Sequence, residues 1–190
     1  MASTLQIASG GRLILGMGIG GAPREHAAYG IDFPEAPERV ARLEEAVAVI
    51  RALWSGGPVS RPSAYYPLEN AHAFPVPDPA PSIVIGGETR TGARLAARIG
   101  DGWSTFENFE EHLPIYLEAL EEAGRRREDQ LVIAGFQGQW LSDETLADSP
   151  WVTAPRETWD HWREVGADGA IVLARTTDDV DSLVAATDRW

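Results

Sequence analysis

The chain contains no cysteine and no lysine. The first absence excludes disulfides and thiolate metal sites. The second leaves 16 basic residues, all arginine, against 29 acidic ones, a net charge of −13. That balance argues against a nucleic-acid partner, because phosphate backbones are bound by dense Lys/Arg patches. The one basic cluster, Arg125-Arg126-Arg127, lies between Glu121-Glu122 and Glu128-Asp129 and reads as a solvated helix end. No apolar run approaches the ~18 residues of a membrane span, so no membrane segment is expected. The opening MASTLQIASGGR has neither the basic start nor the apolar core of a secretory signal, which makes cytoplasm the default location. The four histidines, His26, His72, His112 and His161, are far apart and show no ligand spacing, so no metal site is expected.

What is present alternates between apolar runs and helical patterns. Met1–Ser9 reads as a helix stopped by Gly10-Gly11, and RLILGMG (Arg12–Gly18) as a buried strand. Gly20–Pro37 reads as irregular. In Glu38–Trp54, Val40, Leu43, Val47, Ile50 and Leu53 recur at spacings of three and four, with Pro37 at the start. Ser55–Pro81 is a long proline-rich loop, a length that signals function or a lid. Strand Ser82–Ile85, helix Thr91–Ile99, strand Asp101–Phe106 and helix Phe109–Ala123 follow, the last packing through Leu113, Tyr116, Leu117 and Leu120. Strand Leu131–Phe136 leads to an irregular stretch ending at Thr153. Helix Pro155–Val165, strand Gly169–Ala174 and helix Asp178–Trp190, with Thr177 as N-cap, close the chain.

Five strand–helix units in succession imply a parallel sheet with helices outside it. The runs are apolar throughout, as expected of strands covered on both faces. Both an open doubly wound sheet and a (β/α)₈ barrel satisfy this pattern, but a whole barrel takes ~250 residues and eight units. Met1–Ser9 has no capping residue and reads as the last turns of a longer helix. The expectation is one domain over 1–190, a parallel (β/α) barrel of about five units with three missing, carrying a lid-like loop at 55–81.

Two motifs bear on chemistry. GMGIGG, Gly16–Gly21, matches G-x-G-x-x-G after a strand. A dinucleotide fold needs a helix opening inside the motif and an acidic residue about twenty residues on; here Pro23 follows. Glycines at a strand's C-terminal end can instead leave room for a planar ligand, or form a turn with no ligand. The second motif, SIVIGGETRTGARLAARIGDGW (Ser82–Trp103), ends a strand in Gly86-Gly87 and opens a helix at Thr89, Arg90 and Thr91. Free N–H groups and the helix dipole favour an anion there, and threonine and arginine add donors. A capped helix start with no ligand is the competing reading, and Glu88 puts a negative charge at the same spot. His26 and His72, in loops, are candidates for catalysis; His112 and His161 read as surface residues on helices. The pairs Glu44-Glu45, Glu110-Glu111 and Glu121-Glu122 read as solvent faces.

Taken in order, SGGRLILGMGIG (Ser9–Gly20), REHAAYGIDFP (Arg24–Pro34), RLEEAVAVIRALW (Arg42–Trp54) and IVIGGETRTGARLAARIGDGW (Ile83–Trp103) resemble the bacterial luciferase-like monooxygenases, especially their deazaflavin-dependent (F(420)-type) branch. The resemblance implies a luciferase-like TIM barrel, of which this chain would be units four to eight, and an oxidoreductase or monooxygenase acting on a small organic substrate, often as a homodimer. It implies coenzyme F(420) or FMN over the C-terminal strand ends. Gly18 and Gly20 would lie near the ring, and Gly86, Gly87, Thr89, Arg90 and Thr91 would hold the phosphate or ribityl chain. In the family the first three strands supply part of the ring pocket and, in several members, the catalytic histidine or acid; no residue here is assigned that role. A non-catalytic flavin-binding or dimerising fragment and an unrelated phosphate-binding α/β enzyme are the alternatives.

Overall fold

The computed structural model describes residues 1–106, 108–136 and 145–189. The chain divides into two compact units, Met1–Gly86 with Ile99–Asp101, and Gly87–Arg98 with Gly102–Trp190. The first carries α1 (Ala2–Ala8), β1 (Ile14–Met17), α2 (Pro23–Ala28), α3 (Ala36–Trp54), β2 (Val59–Arg61), β3 (Leu68–Ala71) and β4 (Ser82–Gly86). Then come α4 (Arg90–Ile99), β5 (Gly102–Thr105), α5 (Phe109–Glu122), β6 (Leu131–Phe136), α6 (Pro150–Thr153), α7 (Pro155–Val165), β7 (Gly169–Val172) and α8 (Thr177–Ala186).

The strand order is β1-β4-β5-β6-β7, the order of five consecutive βα units. β1 runs parallel to β4 with Met17 opposite Ile85, β5 parallel to β6 with Trp103 opposite Val132, and β6 parallel to β7 with Ala134 opposite Ala170. Burial on both faces holds for the middle of β4 and for β5; in β6 Val132, Ala134 and Gly135 are buried while Leu131, Ile133 and Phe136 are half-buried, and β1 and β7, at the two ends of the order, have no fully buried residue.

One device holds the N-terminal ends of the strands twice over. Asp101 accepts from the Ile83 N–H at 2.9 Å, and its own N–H donates to Ile83 O at 2.6 Å. Asp168 does the same with Val132, at 2.8 and 2.7 Å. An arginine clamps each aspartate: Arg51 reaches Asp101 Oδ1 and Ile99 O, and Arg127 reaches Asp168 Oδ2 and Gly166 O. The sequence mark of the device is the dipeptide Asp-Gly, at 101–102 and again at 168–169. These ion pairs are partly exposed, so their worth lies in fixing strand ends rather than in charge. In a βα barrel this end serves stability and the opposite end carries the site.

The core of the second unit is aromatic. Trp103 on β5 is fully buried and stacks between Tyr116 and Phe109 of α5, with ring centroids 5.2 and 5.6 Å away. Phe109 meets Trp162 of α7 edge-on, and Trp162 meets Phe136, which tilts against Trp151. Leu117 does not join this core, because it lies on the exposed side of α5; Ile115 and Ala119 are buried instead.

Several expectations need correction. Gly20–Pro37 is not wholly irregular, because Pro23 at the first turn starts the short helix α2, which carries His26. The loop Ser55–Pro81 contains an antiparallel hairpin, β2–β3, with Val59 opposite Ala71. His112 is buried, not a surface residue, and its Nδ1 has no partner among the described residues. The arginine cluster is solvated only at Arg126, whereas Arg125 donates to Ala97 O at 2.7 Å and Arg127 belongs to the Asp168 clamp. The irregular stretch ending at Thr153 includes residues 137–144, which lie outside the described residues.

The last helix begins one residue earlier than its spacing implies. Thr176, not Thr177, is the N-cap: its Oγ1 accepts from Asp179 N at 3.1 Å while Asp179 accepts from Thr176 N and Arg175 N. Those backbone donors, Arg175 first, hold the Asp179 carboxyl below its usual range. Thr176→Ala is expected to cost about 1 kcal/mol and Thr177→Ala much less, which paired thermal denaturation curves will check.

Candidate functional site

In the first unit the site residues gather where β1 and β4 end. Gly18 and Gly86 face each other: a Cβ on Gly18 would lie 3.8 Å from Gly86 O, and one on Gly86 3.7 Å from Met17 O. Those are ordinary contacts, and neither residue has a left-handed backbone. The chain's own packing therefore does not require glycine at either position. Gly20 differs, because its φ of +78° demands glycine, and it lies against the rings of His26 and Phe33.

A cavity of about 260 Å³ opens at this end, with Met17, Gly18, His26, Asp32, Arg39 and Tyr66 in its wall. Arg39 does not point a free charge into it. Its Nη1 donates to Gly20 O at 2.6 Å and Ile19 O at 3.2 Å, and its guanidinium lies 3.9 Å above the Phe33 ring. The arginine thus holds the glycine turn after β1 in place. Arg42 is paired with Glu38 at 2.7 Å.

The hairpin reaches the cavity through Tyr66, and α3 holds that hairpin by Glu45. The Glu45 carboxylate accepts from the Ser63 hydroxyl, Tyr65 N at 2.9 Å and Ala64 N at 3.3 Å. Ser63 Oγ in turn accepts from Tyr66 N at 3.0 Å. Glu45 is therefore no idle solvent face. The Ser63 hydroxyl and the Tyr65 amide hold its carboxyl below the usual range. A depressed folded value means that docking is complete above the ordinary glutamate range and fades as pH falls below it. Hydrogen exchange at Ala64 and Tyr65 is expected to rise in Glu45→Gln at neutral pH. It is also expected to rise in the native chain, beyond the intrinsic pH effect, once the medium is acid enough to protonate Glu45. Unchanged protection in Glu45→Gln would show that other contacts hold the hairpin.

In the second unit the turn into α4 is tight for an internal reason. A Cβ on Gly87 would meet Gly92 Cα at 2.8 Å and its carbonyl carbon at 2.7 Å, so two backbones touch there. Thr89 caps the helix, its Oγ1 accepting from Gly92 N at 3.1 Å and its carbonyl from Ala93 N at 2.9 Å. The hydroxyl proton of Thr89 remains available to donate. Thr89, Arg90 and Thr91 are all exposed. Glu88, the feature that counted against an anion, bends toward β5: it accepts from Thr105 Oγ1 at 2.6 Å and Phe106 N at 2.9 Å.

A larger cavity, about 450 Å³, lies against Ser82 and Ile83 at the opposite end of β4, beside the Arg51–Asp101 pair. It belongs to the strand-holding end, and the smaller cavity is the better site candidate. Of the other histidines, His72 is exposed and stacks on Phe74, and His161 is exposed on α7. Gly92, Arg39, Glu45 and Tyr66 were missed. Gly92, a glycine in the first turn of a helix, was the one visible signal.

The fold is that of an α/β protein of consecutive parallel βα units, with Gly18 and Gly86 at the ends of β1 and β4. The luciferase-like monooxygenase family model matches residues 1–175, and the chain belongs to that family. It is 37% identical over 133 residues to an F420-dependent glucose-6-phosphate dehydrogenase of Microbacterium testaceum (strain StLB037), covering 67% of this chain and 39% of that protein. Among solved structures, the EDTA monooxygenase EmoA from Chelativorans sp. BNC1 matches with a TM-score of 0.73 at 19% identity, covering 99% of this chain and 69% of that one. An F420-dependent secondary alcohol dehydrogenase, in complex with an F420–acetone adduct, matches with a TM-score of 0.66 at 22% identity over 97% of this chain and 64% of that one. The chain thus spans about two-fifths of the length of the curated relatives it matches. Its five βα units are of the luciferase-like barrel type.

Proposed function

We propose that this chain forms the coenzyme-holding part of a deazaflavin (F420)-dependent oxidoreductase that acts on a small hydroxylic substrate. The observation that carries the reading is the pair Gly18 and Gly86, glycines at neighbouring strand ends where a Cβ would make only ordinary contacts, at 3.8 and 3.7 Å, so the fold itself does not demand glycine. Such a pair would form a shelf that suits a planar ring system. The relatives named as F420-dependent glucose-6-phosphate dehydrogenases, 33–39% identical to this chain, support deazaflavin and a hydroxylic substrate.

The residues at hand fit the group. Gly18 and Gly86 would give it surface to lie on, and Gly20, held by Arg39, would shape the turn beside it. The side chains of Thr89, Arg90 and Thr91, exposed at the start of α4, would bind its phosphate. Gly87 would act through the turn, by letting β4 run directly into α4. Glu88, engaged by Thr105 and Phe106, keeps its charge on the β5 side. When bound, the coenzyme supplies the two-electron hydride chemistry. The hairpin segment 55–81 would cover the substrate side through Tyr66.

The test is a fluorescence titration of the purified chain with deazaflavin coenzyme and, separately, with FMN. Micromolar binding of the deazaflavin, with FMN at least roughly tenfold weaker, is the expected result, a gap of about 1.4 kcal/mol. A folded chain that binds neither overturns the reading, and tighter binding of FMN redirects it to flavin chemistry.

A further inference from the structure

We propose that Asp32 selects the substrate of this site: its carboxylate admits an uncharged polyol and turns away a phosphate ester of the same alcohol. The proposal rests on the oxidoreductase reading above and names the substrate class that reading leaves open. It begins with the charged residues in the wall of the 260 Å³ cavity, which are Asp32, Arg39 and Arg42.

Neither arginine is presented to a ligand. The chain has no lysine, so arginine is its one permanently charged basic side chain. Arg39 gives Nη1 to the Gly20 and Ile19 carbonyls, lies 3.9 Å above the Phe33 ring and has its Nε sealed from solvent. Arg42 gives Nε and Nη2 to Glu38, at 3.1 and 2.7 Å, and its guanidinium lies 5.4 Å from the centre of the Tyr65 ring. A phosphate entering here would have to break one of these sets of bonds to gain a cation, and would leave carbonyls or a carboxylate without their donor.

Asp32 is in the opposite condition. It is exposed, and its carboxylate makes no hydrogen bond or ion pair among the described residues. The chain on either side of it is held. Ile31 N donates to His26 O at 2.8 Å, and Phe33 lies between the Arg39 guanidinium and the His26 ring, whose centroid is 4.7 Å away. The Tyr66 hydroxyl is unengaged as well. His26 gives its Nδ1 proton to Ala22 O at 2.9 Å, so the other nitrogen of the neutral ring accepts.

The groups left open to a ligand are thus two acceptors and a phenol, and their charge is negative. Such a set receives hydroxyl protons, because a carboxylate can take neighbouring hydroxyls on its two oxygens. The same charge repels a phosphate. A site that hydrogen-bonds the hydroxyls of its substrate also discriminates more strongly than one that fits shape alone. The cavity is smaller than the ~300–1,000 Å³ of a drug-sized pocket, which suits a small polyol or a single sugar ring. In this selection the chain would part from the relatives named for glucose-6-phosphate.

The experiment uses the whole 190-residue chain loaded with deazaflavin coenzyme, and reads ligand binding by saturation-transfer NMR. The probes are glycerol, glucose and glucose-6-phosphate. Glycerol or glucose is expected to bind, and glucose-6-phosphate to bind at least about tenfold more weakly than glucose. Asp32→Asn keeps the shape and removes the charge. It is expected to keep native circular dichroism and coenzyme affinity and to narrow that gap roughly fivefold or more. Raising the salt from about 0.15 M to about 1 M is expected to narrow the gap in the native chain and not in Asp32→Asn, a response that a steric role would not give. Glucose-6-phosphate bound as tightly as glucose, no binding of either alcohol, or an unchanged gap in Asp32→Asn overturns the proposal and leaves the coenzyme reading intact. A folded native chain that takes no deazaflavin defeats the coenzyme reading itself and this inference with it.

Discussion

Gly86→Ala is expected to leave the fold intact and weaken coenzyme binding roughly tenfold or more, while Gly87→Ala, one residue on, is expected to destabilise the protein by about 1–3 kcal/mol. The two residues look alike in the sequence and differ in what surrounds them. A Cβ on Gly86 meets nothing closer than 3.7 Å, and alanine in an extended strand position is about 0.5–1 kcal/mol better than glycine on entropic grounds. Stability should therefore hold or rise slightly. The methyl group would instead occupy the shelf that Gly18 and Gly86 leave open. On Gly87 the same methyl meets the backbone of Gly92 at 2.7 and 2.8 Å, and backbone atoms cannot rotate away as a side chain can. Urea denaturation and a coenzyme titration on each variant decide the matter. A Gly86→Ala chain that binds the coenzyme as tightly as the native one would sink the shelf as the ring site. A Gly87→Ala chain of native stability would show that the Gly87–Gly92 approach can relax.

The same pair shows how far the sequence could be read. Apolar runs and the spacing of Val40, Leu43 and Val47 give the βα alternation, because buried parallel strands and amphipathic helices leave period-dependent marks. The helix α7 begins where Pro155 puts it, and β6 spans its whole predicted length. Contacts distant in sequence left no such mark. Glu45 reads as one of two adjacent surface acids, and only the return of Ser63–Tyr65 from eighteen to twenty residues away gives it a partner. Glu88 reads as an obstacle to an anion until Thr105 and Phe106 are seen to take its charge. Arg39 lies about twenty residues beyond the glycine turn it secures. His112 sits in a helix whose polar residues are mostly exposed, so its burial follows from the face it occupies on α5 rather than from its type.

Trp103→Ala is expected to be the most damaging single substitution, at about 3–5 kcal/mol, a large share of the ~5–15 kcal/mol that holds an ordinary domain together. The ring is fully buried between Phe109 and Tyr116, so truncation leaves a cavity among rigid aromatic neighbours that cannot collapse to fill it. Trp103→Phe is the more informative variant. It keeps an aromatic ring in the stack but removes the indole N–H, which donates to Gly87 O at 3.0 Å. The Gly87 N–H donates to Ser104 O, also at 3.0 Å. Both polar groups of Gly87 are thus held by consecutive residues of β5, and these bonds set the direction in which the chain enters α4. Loss of the indole bond is expected to cost about 1–3 kcal/mol if the carbonyl is left unsatisfied. It should also lower coenzyme affinity, because the donors of Thr89, Arg90 and Thr91 follow from that turn. Denaturation followed by circular dichroism separates the two effects from a coenzyme titration on the same variant. Reduced stability with native affinity would mean that Trp103 serves the core alone. Reduced affinity in a chain that still unfolds at its native midpoint would mean that the Gly87 carbonyl is held chiefly for the ligand's sake.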